Sequence, residues 1–224
     1  MFRLMATDPS LLHRIDRANW FLYAEVAARS GGDVRTDEGL VLITGAHPSP
    51  VIVNTAFRTQ RDPGVPAPAI LEQVAGHFRA VGHGVSLMTA EHIDRDLEEA
   101  ASSTGWKAVI TLPGMVVRSP LGRLSPPEEV SLQWVDPARD LDEFRRIVME
   151  GFAENDDERE MVASVFAQPR SVEPPGVRAA LATLQGVGVA AGTVYTGGAW
   201  AWSGGWRPSR SIVVVAWGRS SPPR

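Results

Sequence analysis

Acidic side chains crowd one short stretch of the chain: Glu150, Glu154, Asp156, Asp157, Glu158 and Glu160. Carboxylates in such a group can steer a cationic amine toward a cleft or take a proton from it. Acids at the start of a helix also answer its dipole, which explains the same residues without any chemistry. Tyr195 offers a phenol able to protonate a leaving thiolate, or simply an aromatic ring to pack. His77, His83 and His92 are imidazoles of the kind that bind metals. Their spacings of six and nine do not share a helical face, so they read as surface or packing histidines, and no metal site is expected. Asp94, Asp96, Glu98 and Glu99, interleaved with Ile93 and Leu97, read as the solvated face of a helix. Gly186, Gly188, Gly192, Gly197 and Gly198 lack the strand-to-helix context of a dinucleotide fingerprint, and a hairpin turn accounts for them. There is no cysteine, hence no thiolate nucleophile, thiolate metal site or disulfide framework.

The elements that must position these groups follow from periodicity. Asp8-Pro9 is a cap followed by a helix-starting proline, and Leu11, Leu12, Ile15, Ala18, Leu22 and Val26 continue at helical spacing to Gly31-Gly32. Val41–Thr44 and Val51–Phe57 form an expected hairpin. A helix over Pro68–Ala80 and a strand over Val85–Met88 come next. Thr89 is placed as the cap of a helix carrying Ile93, Leu97 and Ala100, and Trp106–Thr111 and Met115–Arg118 read as short strands. Pro120, Gly122, Pro126 and Pro127 mark a linker at 119–127. Beyond it, Val130–Val135 alternates as a strand. Asp140 with Glu143 has capping-box spacing, and Leu141, Phe144, Ile147, Val148 and Phe152 make a buried stripe. Met161, Val162, Val165 and Phe166 mark a further helix. Val177–Gln185 and Val187–Tyr195 are two strands turning at Gly186.

The 224 residues suffice for a substantial core or for two small ones. Charged residues make up 21% and hydrophobic ones 44%, which excludes a disordered chain, and no apolar run is long enough to span a bilayer. The start lacks the layout of a signal peptide, so a cytoplasmic protein is expected, with no membrane partner. A net charge of −4 argues against a general nucleic-acid binder.

The strand, the acid-capped helix, the second helix and the hairpin Leu184-Gln185-Gly186-Val187-Gly188-Val189-Ala190-Ala191-Gly192-Thr193-Val194-Tyr195 together resemble the first half of a GNAT acetyltransferase, over residues 128–198. Residues 66–118, with Gly105-Trp106 and Pro113-Gly114-Met115, resemble the half-domain that precedes such folds in two-part members. The resemblance implies an α/β fold with a GNAT-like mixed central sheet flanked by helices, preceded by an N-terminal half-domain over 1–118. It implies transfer of an acetyl group from acetyl-CoA, as co-substrate, to a small-molecule or peptide amine, by direct attack within a ternary complex. On the same basis Glu150, Phe152, Glu154 and Tyr195 would line the acceptor cleft, although Tyr195 lies on a different strand from the family's usual proton donor. No catalytic base can be named.

The next family element is a strand followed by an R/Q-x-x-G-x-G/A loop whose amides, at a helix start, hold the pyrophosphate of the co-substrate. It is missing. Residues 199–224 hold four of the seven tryptophans (Trp200, Trp202, Trp206, Trp217), and the last acidic residue is Glu173. Lys107 is the only lysine among 22 basic residues, the mark of a gene rich in G and C. Back-translating Gly198 to Ser221 with such codons, chosen among synonymous alternatives, and reading from the third base of Gly198 yields RLGVVGWVATVPEHRGRGLGAVV. A strand followed by RGRGLG fits the missing motif in its proper place. The expectation is therefore a truncated acetyltransferase with an aberrant tail at 199–224, an incomplete C-terminal part and impaired acetyl-CoA binding. The strand Val187–Tyr195 would be left as a raw edge, inviting self-association, unless Ile212–Val215 patches it. Two rivals stand beside this reading: a non-catalytic remnant or regulator, and an interaction module whose Arg/Trp tail meets an anionic partner such as single-stranded nucleic acid.

Overall fold

The computed structural model describes residues 9–37, 39–50, 53–59, 64–111, 125–153, 155–197 and 211–218. Helix α1 (Pro9–Ser30) ends where Gly31 turns left-handed at φ 92° and the Gly32 amide donates to Ala27 O at 2.8 Å. It is followed by β1 (Asp33–Asp37), β2 (Leu40–Thr44), β3 (Asn54–Arg58), α2 (Ala67–Val81), β4 (Ser86–Met88) and α3 (Arg95–Ser103). The strands form one sheet in the order β1-β2-β3-β4. The expected hairpin is the antiparallel pair β2–β3, while α2 is the crossover that makes β3 and β4 parallel. Val51 and Ile52 lie outside the described residues.

Helices cover both faces of this sheet. Ala24 and Ala27 of α1 pack with Val41, Ile43 and Phe57, while Ile70, Leu71, Val74 and Phe78 of α2 and Leu97 of α3 pack with Leu40, Leu42 and Ala56. Every residue of β3 is buried, including Asn54 and Arg58. Burial on both faces favours a partner for every polar group; the Thr55 hydroxyl has none, but Asn54 and Arg58 are paired. Asn54 Oδ1 accepts the Gly45 amide at 3.0 Å and its Nδ2 donates to His47 O and Ser49 O, both at 2.6 Å, tying down the loop before β3.

The helix expected to start at Thr89 starts instead at Arg95, with Asp94 at the N-cap position but making no side-chain cap bond, and Ile93 ahead of the helix. Thr89 turns its hydroxyl to Glu98 Oε1 at 2.8 Å. Trp106–Thr111 forms no strand: Val109 and Ile110 are exposed, with no ladder to bury them. Residues 112–124, which contain the expected strand Met115–Arg118 and most of the expected linker, lie outside the described set.

A second sheet is built from β5 (Val130–Trp134), β6 (Val177–Leu184), β7 (Val187–Gly197) and β8 (Ser211–Gly218), in that order and antiparallel throughout. The β6–β7 turn places Gln185 at φ 52° and Gly186 at φ 81°, the two positive angles that a two-residue hairpin loop requires. Helices α4 (Leu141–Phe152) and α5 (Asp156–Val165) lie between β5 and β6 in sequence and cover one face of the sheet. Phe144 is fully buried there, edge-on to Phe166 at 5.2 Å between ring centres, and Val177, Ala179, Leu181 and Ala191 are buried on the inner side of β6 and β7.

Two expectations about this half are corrected. Asp140 makes no side-chain bond to the helix end. Its carboxylate accepts the Asp136 amide at 3.0 Å and the Arg139 guanidinium at 2.9 Å, and Glu143 reaches forward instead of back, so no capping box forms. The β7 edge is also not raw, because β8 pairs along it from Gly197↔Ser211 to Ala190↔Gly218. The expected apolar patch Ile212–Val215 lies within that ladder.

Helix α1 belongs to both sheets. Phe21 packs on Val177 and Tyr195 of the second one. Arg29 donates to Arg170 O at 2.8 Å, Glu173 O at 3.1 Å and Pro175 O at 2.5 Å, and Arg170 Nε returns a bond to Arg29 O at 2.7 Å.

Candidate functional site

The junction of α4 with the β6–β7 hairpin carries the densest charge pairing of the second half. Glu143, Arg146 and Glu150 share one face of α4 by their spacing of three and four. Arg146 Nε donates to Glu143 Oε2 at 2.8 Å, Nη2 to Glu143 Oε1 at 2.6 Å and Nη1 to Glu150 Oε1 at 2.8 Å. Nη2 also reaches Gly188 O at 3.2 Å, and the Gly188 amide donates to Glu143 Oε1 at 3.2 Å. A β-carbon at Gly188 would meet Glu143 Oε1 and Ile147 Cδ1, the ends of two flexible side chains that would have to swing aside, so glycine is what lets the Glu143 carboxylate lie this close to the strand.

Electrostatics make this cluster a latch and a poor base. The hydrogen bonds from Arg146 hold the Glu143 carboxyl below its ordinary range, and bonds to Glu143 and then Glu150 hold Arg146 more firmly protonated. A carboxylate kept ionised by its neighbour gains little from accepting a proton.

The sequence-derived site residues separate. Glu150 is engaged by Arg146. Phe152 ends α4 with 38% of its surface exposed, and Glu154 lies outside the described residues. Asp156 and Asp157 are exposed in the first turn of α5, beside the Asn155 cap, whose Oδ1 accepts the Glu158 amide at 2.9 Å. This is the helix-dipole arrangement, and it leaves an acidic surface next to Phe152. Tyr195 is not with them. It is 3% exposed in the cluster with Phe21 and Val177, where burial pushes its phenol above the ordinary value, away from the range in which it could give up a proton near neutrality.

The histidines also part company. His77 Nε2 lies 3.0 Å from Thr44 Oγ1, His83 Nδ1 lies 3.0 Å from Asn54 Oδ1, and His92 Nε2 lies 2.9 Å from Asp16 Oδ2. Among the described residues no three metal-ligating side chains come together. The expected solvated face of α3 is only partly so. Asp94 is 2% exposed and accepts Arg58 Nε at 2.7 Å, and Asp96 accepts both Arg58 Nη1 and Nη2 at 2.8 and 2.6 Å. Nothing in the sequence links Arg58 to acids 36 and 38 positions later. The row Glu143, Arg146, Glu150 was legible as helical charge spacing, but its partner Gly188 was not.

A shallow depression of 540 Å³ lies on α3 among Arg95, Glu98, Glu99, Ser102 and Ser103, and a cleft of 160 Å³ lies between Trp134, Val172, Pro174 and Arg178. Neither adjoins Glu150, Phe152 or Tyr195. No helix among the described residues is long and apolar enough to cross a membrane.

No protein-family model matches the chain, and no curated protein matches it. Among solved structures, the GCN5-related N-acetyltransferase from Kribbella flavida is similar at a TM-score of 0.52 and 20% identity, over 82% of this chain. The chain spans 66% of that protein's length. At this identity the likeness is one of architecture, and the chain accordingly has a GNAT-like α/β fold, a mixed arrangement of strands flanked by helices.

Proposed function

We propose that the chain is an N-acetyltransferase-type protein whose parent reaction moves an acetyl group from acetyl-CoA to a small-molecule or peptide amine, and that this chain is impaired in it. The observation that carries the reading is the GNAT-like fold, in which β5, α4, α5, β6 and β7 follow one another in the family's order up to Gly197. From there on, the second reading frame, with its RGRGLG, supports a tail read out of frame.

In the second half the described residues do not fit the pyrophosphate of the co-substrate. Binding it calls for converging backbone donors at a helix start free of acids. In this half the helix starts carry Asp142 and Glu143 on α4, and Asp156, Asp157 and Glu158 on α5. The element beyond β7 is a strand paired along its length, with no helix start after it among the described residues. In the sequence, Trp206-Arg207-Pro208-Ser209 carries a proline that removes a donor. Ion pairs from Arg207 and Arg210, counted at the about 1 kcal/mol typical of a surface pair, fall far short of the roughly 8 kcal/mol of micromolar affinity.

The acidic turn beside Phe152 suits a cationic amine as acceptor. The same reading includes a cytoplasmic location, the division into 1–118, 119–127, 128–198 and 199–224, and self-association through a sheet edge, which now falls to β8. A non-catalytic remnant that keeps the acceptor side is the alternative, favoured by those same acid-bearing helix starts. Calorimetric titration of CoA into the chain and into a frame-restored chain tests the proposal. Binding only after restoration supports it; equal micromolar affinity in both overturns it.

A further inference from the structure

Where β5 ends and β6 begins, the cleft of 160 Å³ joins an apolar floor to an unmatched cation. The floor is Val135, Val172 and Ala179, all buried. Their backbone groups are already used: the Val135 amide donates to Ala179 O at 2.9 Å and the Val172 amide to Pro169 O at 3.0 Å. The rim is Trp134, Pro174 and Arg178, all exposed. The Arg178 guanidinium lies over the Trp134 indole, 5.3 Å from the ring centre. Among the described residues it pairs with no carboxylate and donates to no oxygen. Other arginines of the chain are matched: Arg29 by three carbonyls, Arg58 by Asp94 and Asp96, Arg146 by Glu143 and Glu150. A guanidinium is a rigid fork of N–H donors shaped for a carboxylate, whereas an indole attracts its charge and supplies no oxygen. Stacking therefore steadies the fork and leaves it without an acceptor.

We propose that this cleft binds a small aromatic monocarboxylate, its carboxylate paired with Arg178 and its ring laid against Val172, Pro174 and the Trp134 indole. Volume sets the size of the body, since a cavity of about 150 Å³ holds a single benzene ring. The walls set its kind, because an indole and a proline ring pack best against a planar apolar partner. Charge sets the head group. One arginine above a floor with no spare donor matches a single negative charge, while a phosphate or a dicarboxylate would bring a second charge that nothing here answers. The cleft is separate from the acidic surface beside Phe152, so what it binds stands apart from the acetyltransferase reading and from the frame of the tail.

Benzoate is the probe, titrated into the full chain and followed by ligand-observed NMR. Saturable binding is expected, with a dissociation constant on the order of 1 mM for a ligand this small. Arg178→Gln should weaken it by about tenfold or more, the worth of one charge-assisted pair. Arg178 is exposed and bonded to no other described side chain, so its loss leaves the fold intact. Arg95→Gln on α3, an arginine with 86% of its side chain exposed, should leave binding unchanged. Benzamide keeps the ring without the charge, and acetate keeps the charge without the ring; each should bind more weakly by about tenfold. No saturation by about 10 mM, or equal affinity in the parent and Arg178→Gln, overturns the proposal. So does benzamide binding as tightly as benzoate, which would reduce the cleft to an apolar trap, or acetate doing so, which would reduce it to a bare surface charge. CoA enters none of these titrations, so their failure and the failure of the acetyltransferase reading are told apart.

Discussion

The two sheets each have four strands, yet one is closed and the other half open. The first is covered by α1 on one side and by α2 and α3 on the other, so that all of β3 is buried. Such a strand can hold a charge only by pairing it, and Arg58 is matched by Asp94, Asp96 and the Ile93 carbonyl. Among the described residues helices cover only the inner face of the second sheet, and on the outer one Trp134 keeps more than half of its surface. The lesson is that coverage decides what a substitution costs: in the closed sheet loss of Arg58 strands a buried carboxyl, and in the second sheet an indole that keeps more than half of its surface has less to lose.

The sharpest way to break this comparison is Arg58→Ala against Trp134→Ala. Arg58→Ala leaves the buried carboxyl of Asp94 without its guanidinium partner and is expected to cost about 3–5 kcal/mol in chemical denaturation. Trp134→Ala is expected to cost only about 1 kcal/mol, since the Arg178 stacking and the covered part of the ring are what it loses. Comparable losses would mean that the outer face is already covered. Gly188→Ala comes next, because the new methyl meets Glu143 and Ile147 at the α4–β7 junction. Both neighbours are ends of flexible side chains, so the cost is expected at the low end of overpacking, about 1 kcal/mol, and its partial rescue by Glu143→Ala would locate the clash.

The smallest effect separates the halves by pH. Burial lowers the pKa of His77 in the first half. The unfolded chain therefore takes up its proton first, and stability falls as pH drops through the unfolded value of about 6.5. Glu143 in the second half is shifted downward by Arg146. Its contribution is present above the unfolded value of about 4.3 and fades only as pH falls through the lower folded one. His77→Gln should flatten the first slope and leave the second in place. A stability curve unchanged by His77→Gln between pH 5 and 7 would contradict the assignment, since that window brackets the unfolded histidine value.

Legibility in the sequence followed the range of the interactions. Helices α1, α2, α4 and α5 and the β6–β7 hairpin were visible because apolar spacing and turn residues are local signals. Asp33–Asp37 carries almost no apolar residue, and it is a strand only because β2 offers it a ladder. Thr89 looked like a cap by type, but the helix starts only at Arg95, after Asp94, whose carboxylate binds Arg58 and the Ala90 amide and not the helix end. The capping box at Asp140 and Glu143 failed because Arg139 and Arg146 compete for the same oxygens. Of the candidate site, the acidic run was legible and the separation of Tyr195 from it was not. That separation depends on which face of β7 meets α1, a matter of tertiary packing that strand alternation alone does not settle.

The central claim is that the residues after Gly198 are the wrong frame of an acetyltransferase gene, and the nucleotide sequence from codon 197 to codon 221 tests it most directly. The account predicts a gained or lost base near codons 197–199 and an open second frame reading a strand, then R-x-x-G-x-G, then a helix. An intact first frame whose second frame lacks that motif would contradict it.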